Sequence, residues 1–158
     1  MTDNFQIDSL DRKILSMITQ NARVPFLEVA RKCGVSGAAI HQRIQRLADA
    51  GVISGSEFIV SPLKLGLKTC AYIGIFLEKA SLYDEVVAQI ESIPEVVECH
   101  YITGEYAIFI KVYARDNEHL RNVINVGIQS IKGIFRTETF ISLEERFRRQ
   151  LFIPEGDD

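Results

Sequence analysis

Apolar positions along the chain recur with two different periods, and the change falls near the middle. In the first half they repeat as on a helix face. Asp8 can cap a helix carrying Leu10, Ile14, Met17 and Ile18 at i, i+4, i+7 and i+8. Pro25 opens a shorter helix through Leu27 and Ala30, which Gly34 ends. Ser36 caps a third, with Ile40, Ile44 and Leu47 on one stripe and Gly51 closing it. Two short β-like pieces, 52–53 and 58–60, follow around Ser54-Gly55-Ser56, and Pro62 and Gly66 mark a linker.

Beyond the linker the pattern predicts a strand over 68–79 and a helix over 82–93 with Leu82, Val86, Ile90 and Ile93 on one face. Strands at 96–103 and 106–113 follow, joined by a tight Gly104-Glu105 turn. A helix over 117–131 buries Leu120, Val123, Ile124, Ile128 and Ile131, and a last strand runs from about 135 to 143. The order β-α-β-β-α-β is the ferredoxin-like split motif. The expected class is therefore α+β: a helix-turn-helix domain over 1–53, a β linker over 54–67, a βαββαβ domain over 68–153 and an acidic tail over 154–158. Residues 1–5 and that tail read as frayed ends.

The first strand is apolar on both faces, with Ala71, Ile73, Ile75 and Leu77 on one and Cys70, Tyr72 and Phe76 on the other. Two helices cover only one face of such a sheet. The other face calls for a second sheet, hence a face-to-face dimer, unless the N-terminal half folds over it.

The segment Ala30-x3-Gly34-x5-Ile40 gives the first half a chemical reading. Ala30 lets two helices cross closely, Gly34 supplies the positive φ of the turn, and Ile40 packs the next helix on the first. That next helix stands clear of the body and exposes Ala38, His41, Gln42, Gln45 and Arg46, with Gly37 and Ala39 near its start. Small residues let a helix enter the major groove. Gln42 suits adenine, Arg46 or His41 guanine or phosphate, and Ser36 with the first free amides a phosphate; Arg43 adds charge to the same helix. An ordinary αα-corner is the plainer alternative.

Net charge is −3, which alone argues against nucleic acid, but the distribution reverses that. Between Ser9 and Ala48, Arg12, Lys13, Arg23, Arg31, Lys32, Arg43 and Arg46 face only Asp11 and Glu28, a local +5 against −8 elsewhere. Cys33, Cys70 and Cys99 lie in apolar stretches without metal-ligand spacing, so they read as small core residues of a reducing cytoplasm. No metal or other cofactor is expected. The start has no secretory h-region, and the longest apolar run, 70–77, is too short to span a bilayer.

Taken in order, Asp11-Arg12-Lys13-Ile14-Leu15, Asn21-Ala22-Arg23, Arg43-Ile44-Gln45-Arg46-Leu47 and Ala50-Gly51-Val52-Ile53 resemble the Lrp/AsnC family of regulators. Ser61-Pro62, Leu65-Gly66, Glu95-Val96, Thr103-Gly104-Glu105-Tyr106 and Thr137-Glu138-Thr139 extend the resemblance to almost the whole chain. Ile40-His41, Gly55, 72–75 and 106–112 resemble its asparagine-responsive AsnC branch most. The resemblance implies a winged-helix-type DNA-binding domain, an amino-acid-binding βαββαβ domain, and dimers that assemble further, often to octamers. It puts the effector between dimers near the hairpin, at Tyr101, Thr103, Gly104, Glu105, Tyr106 and Ala107, with Gln129, Thr137 and Thr139 closing the pocket. One position departs from the pattern: many members carry Asp directly after Gly-x-Tyr, where this chain has Ala107.

Chemistry is compatible with such a site. Glu105 and turn carbonyls can take an ammonium, and amides around Gly104 with a Thr hydroxyl can take a carboxylate. A plain hairpin turn explains Gly104-Glu105 equally well. The expected function is a sequence-specific transcription regulator responding to an amino acid, asparagine or a relative of it. The alternative, left open by Ala107, is an architectural DNA-binding protein without an effector. An enzyme is not expected, since there is no nucleophile elbow, phosphate loop or metal cluster, and His100 with Glu98 is explained as an exposed or interface pair.

Overall fold

The computed structural model describes residues 5–154. The predicted fraying of the ends therefore falls largely outside the described residues. The chain forms two compact units: Val60–Arg146, and the described residues before it together with those after it.

The first unit is built on α1 (Ser9–Gln20), α2 (Phe26–Cys33) and α3 (Gly37–Asp49). Helix α1 starts in a reciprocal capping box: Asp8 accepts from the Asp11 amide at 2.7 Å, and the Asp11 carboxylate accepts from the Asp8 amide at 3.2 Å. Pro25 sets the entry to α2, and Gly34 ends it at φ +69°, a conformation most side chains resist. Ser36 caps α3 by accepting from the Ala39 amide at 3.1 Å. The three helices bury Ile14, Val29, Ala30 and Ile40 among them, with Leu10, Met17, Ile18 and Ile44 packed around.

The predicted β pieces at 52–53 and 58–60 do not form strands. Val52 and Ile53 donate their amides back to the Leu47 carbonyl, closing the end of α3, and so have none left for a ladder. Phe58, Ile59 and Val60 are 60–73% exposed and find no strand partner among the described residues.

The second unit holds β1 (Thr69–Leu77), α4 (Tyr83–Glu91), β2 (Val96–Tyr101), β3 (Ile108–Ala114), α5 (Asn117–Asn122) and β4 (Ile134–Ser142). The sheet is antiparallel throughout, in the order β2-β3-β1-β4. Ala71, Ile73 and Ile75 of β1 and Ile108, Ile110 and Val112 of β3 meet Val86 and Ile90 of α4 and Leu120, Val123, Ile128 and Ile131, which makes one helix-covered core face. The predicted single helix over 117–131 is interrupted: Val123–Ile128 is a π-helical turn, with the Gln129 amide on the Ile124 carbonyl at 2.8 Å. The wider turn lets Val123 and Ile128, five apart, both reach the core. The predicted tight turn is also longer. Strands β2 and β3 end and begin at Tyr101 and Ile108, and the Ile102 amide closes the intervening loop on the Ala107 carbonyl at 3.2 Å. Among the described residues no helix is long and apolar enough to cross a membrane.

Candidate functional site

Helix α3 carries most of the residues that the sequence assigns to DNA. Ala38, His41, Gln42 and Gln45 are exposed, Gly37 and Ala39 partly so, while Ile40 and Leu47 are fully buried on the opposite side. His41 stands edge-on to Phe26 with ring centroids 5.8 Å apart, which aims the imidazole from α3 along the start of α2. Gln45 donates to Asp49 at 2.8 Å. Ser36 accepts the Ala39 amide at its hydroxyl oxygen, which leaves the hydroxyl proton and the other first-turn amides of α3 as the groups open to an anion.

The two arginines are placed differently from the sequence reading. Arg43 donates to Asp8 at 2.6 Å and to Asp11 at 2.8 Å, and Arg46 donates to Asp11 as well. Hydrogen bonds to Asp8 and then Asp11 raise the Arg43 guanidinium above its ordinary range, against the effect of burial. Burial opposes ionisation of Asp8, yet Arg43 and the Asp11 amide hold its carboxyl below the usual value. Arg43 and Arg46 therefore tie α3 to α1, with the Arg43 side chain 29% and the Arg46 side chain 46% exposed. Lys32 pairs with Glu28 at 3.0 Å. Arg12, Lys13, Arg23 and Arg31 form no ion pair among the described residues, although Arg12 donates to the Pro154 carbonyl at 3.3 Å and Arg23 lies over the Phe58 ring at 4.4 Å. The signal that redistributes the charge is Asp11, an acid placed to face residues over thirty positions away.

In the second unit Tyr101, Ile102, Thr103, Gly104, Glu105, Tyr106 and Ala107 line an open concavity of about 380 Å³. Gly104 lies at φ +116°, outside the reach of other residues, and Thr103, Gly104 and Glu105 are exposed. Tyr101 packs on Tyr83 at 4.6 Å. The Tyr106 ring lies over Gly74, where a Cβ would come within 2.5 Å of it, and its hydroxyl donates to Glu138 at 2.7 Å. That bond to a carboxylate raises the phenol above its ordinary value, reinforced by burial and by the charges of Glu138 and Glu105 and opposed by Arg136. Sequence reasoning missed both Gly74 and Glu138, although a glycine inside an apolar strand is a known sign of a close approach. Gln129 donates to Thr137 at 2.8 Å, but neither of them nor Thr139 lines the concavity, so within one chain these residues do not close it.

The sheet face turned away from the helices is aromatic. Tyr72 stacks on Phe109 at 5.9 Å, Tyr106 meets Phe76 at 5.0 Å and Phe140 at 6.3 Å, and Phe140 is 48% exposed. Lys111 lies among them, 6% exposed, with Glu98 at 3.3 Å and Glu145 at 3.9 Å. Burial, the largest single influence, would lower this ammonium, but the bond to Glu98 together with the charge interactions of Tyr113, Glu98 and Tyr72 raises it above its ordinary value. Cys33 and Cys70 are half-buried, whereas Cys99 is exposed on β2 and is not the core residue the sequence suggested.

A helix-turn-helix with a small, polar exposed face, joined to a βαββαβ domain with a ligand-sized loop concavity, defines a DNA-binding regulator with a separate ligand-binding domain. Comparison with known proteins agrees in both parts. A winged helix-turn-helix DNA-binding family matches residues 7–54, and the Lrp/AsnC ligand binding domain matches residues 70–152. Regulatory protein AsnC of Haemophilus influenzae is 42% identical over 92% of this chain and 97% of its own length. The Escherichia coli protein of the same name is 42% identical over 94% and 98%. The solved structure of E. coli AsnC matches with a TM-score of 0.88 at 41% identity, over 93% of this chain and 99% of that one. The feast or famine regulatory protein from M. tuberculosis complexed with L-methionine matches at 0.88 and 26% identity, over 94% and 100%. The chain belongs to the Lrp/AsnC family of transcription regulators.

Proposed function

We propose that α3 reads the major groove of a specific operator through Ala38, His41, Gln42 and Gln45. The free amides of its first turn and Arg12, Lys13, Arg23 and Arg31 would supply the phosphate contacts. The single observation that carries this reading is the exposed row on α3, small at its start and amide-bearing further on, opposite a fully buried Ile40 and Leu47. The loop at Tyr101–Ala107 takes a free amino acid: Glu105 and loop carbonyls hold the ammonium, amides around Gly104 and the Thr103 hydroxyl hold the carboxylate. A methionine complex of a similar regulator supports the ligand class, and the similarity to AsnC supports asparagine or a close relative of it. Gln129, Thr137 and Thr139 complete the pocket only from a second chain, so the ligand is read at a subunit boundary. The aromatic sheet face is the dimer surface, with higher assembly beyond it, in the cytoplasm. The working division is a DNA-binding domain over 1–53, a linker over 54–67 and the effector domain over 68–153.

A second reading has two observations in its favour. Ala107 provides no carboxylate for an ammonium, and the concavity of a single chain is open. An architectural DNA-binding protein without an effector keeps everything except the pocket.

The test of the recognition reading is binding of the full chain to its own upstream DNA, against a scrambled duplex of the same composition. Gln42→Ala should narrow the affinity gap between the two by roughly 1–3 kcal/mol, the worth of one base contact. An unchanged gap would remove α3 from the reading role.

A further inference from the structure

Helix α1 carries a buried carboxylate in its first turn, that of Asp11. It is fully inaccessible, on the third residue of α1, and receives three donors: the Asp8 amide, Arg43 and Arg46. Asp8 takes a further bond from Arg43. Two carboxylates thus face two guanidiniums, and the network is neutral as a set. Arg43 and Arg46 are three residues apart on α3, so both project from one side of it. Holding that side against α1 leaves α3 little freedom to rotate about its own axis. An arginine held by a fixed carboxylate must give up that partner before it can neutralise a phosphate and release the counterions condensed on the DNA.

We infer that Asp11 is a positioning residue for DNA recognition: it withdraws Arg43 and Arg46 from phosphate contact and sets the rotation of α3, so that Ala38, His41, Gln42 and Gln45 face the bases. The inference rests on α3 being the recognition helix. It turns two arginines that resemble DNA ligands into a specificity device. Broad, salt-sensitive affinity is given up at these positions, and orientation is gained.

The experiment is the salt dependence of binding, read by fluorescence anisotropy with the full chain on its own upstream duplex and on the scrambled duplex. The Arg46 side chain is 46% exposed, so Arg46→Gln leaves the core intact. This variant should keep the wild-type slope of log affinity against log salt. Asp11→Asn removes the charge at nearly constant shape. It should steepen the slope by about 0.9 for each arginine released. It should also lower the ratio of specific to scrambled affinity roughly tenfold, as a displaced base contact does. A merely structural role for Asp11 would lower the melting temperature without moving the slope. A slope shallower by about 0.9 in Arg46→Gln overturns the inference. So does a folded Asp11→Asn with wild-type slope and ratio, and if Asp11→Asn does not fold, Arg46→Gln decides alone. Gln42→Ala, run alongside, separates the two layers. If it loses base preference while Arg46→Gln flattens the slope, only the role of Asp11 falls. If it keeps wild-type preference, the recognition-helix reading falls and the inference with it.

Discussion

Single residues set the geometry of the loop between Tyr101 and Ile108. Gly74 has no side chain because the Tyr106 ring occupies that space, and Tyr106 in turn reaches Glu138 across β1. Gly74→Ala brings a Cβ to 2.5 Å from the ring and forces the tyrosine aside. Overpacking of this kind costs about 1–3 kcal/mol. Urea unfolding should therefore show a lowered midpoint at unchanged slope, and an unchanged midpoint would mean that Tyr106 moves freely and does not anchor the loop. These contacts are where the sequence is least legible. It identifies the members of the loop, Tyr101 to Ala107, because turn chemistry is local. It does not show that Tyr106 is fixed by a glycine and a carboxylate some thirty residues away on either side. The arginines of α3 are the same case: their charge is legible, but their partners on α1 are not.

Elements formed where local signals are self-sufficient. Asp8, Ser36 and Gly34 each act within a turn of their own helix, so α1, α2 and α3 begin and end as their caps dictate. Elements departed from the pattern where a neighbour decides. The 52–53 segment looked like a strand, yet its amides answer to the carbonyl of Leu47 at the end of α3. The second helix of the βαββαβ domain looked continuous, yet it widens so that Val123 and Ile128 both fit the core. The Asp8 cap offers a check at this scale. Its folded carboxyl lies below the usual carboxylate value, because burial is outweighed by the hydrogen bonds from Arg43 and the Asp11 amide, so its stabilisation is present above the ordinary value and is lost as pH falls through the lower folded one. Asp8→Ala should cost about 1 kcal/mol at neutral pH, mostly as a lost cap, because the half-exposed pair with Arg43 is screened. The difference from wild type in thermal melts should shrink toward pH 3. A difference constant down to that pH would contradict an ionised cap.

For the whole molecule the question is how a ligand in one unit governs DNA held by the other. The two units are separately packed, and the ligand loop, the Gln129–Thr137 pair and the aromatic face all belong to the second. On the proposed reading they meet only when chains assemble, so the effector acts on the spacing of recognition helices and not on any one of them. Affinity for an operator with two half-sites then depends on the ligand, while affinity for a single half-site does not. Gly104, at φ +116° in the middle of the loop, is the place to break that coupling without touching the helix-turn-helix.

The most direct measurement of the central claim is fluorescence anisotropy of the full chain on its own upstream region at fixed salt, with each of the twenty amino acids added in turn and Gly104→Asp measured in parallel. The account predicts a shift in affinity with asparagine or one related amino acid in the wild type, absent in Gly104→Asp, which still binds the DNA. Tight binding that no amino acid shifts would contradict it, and would leave the loop a turn and the protein an architectural one.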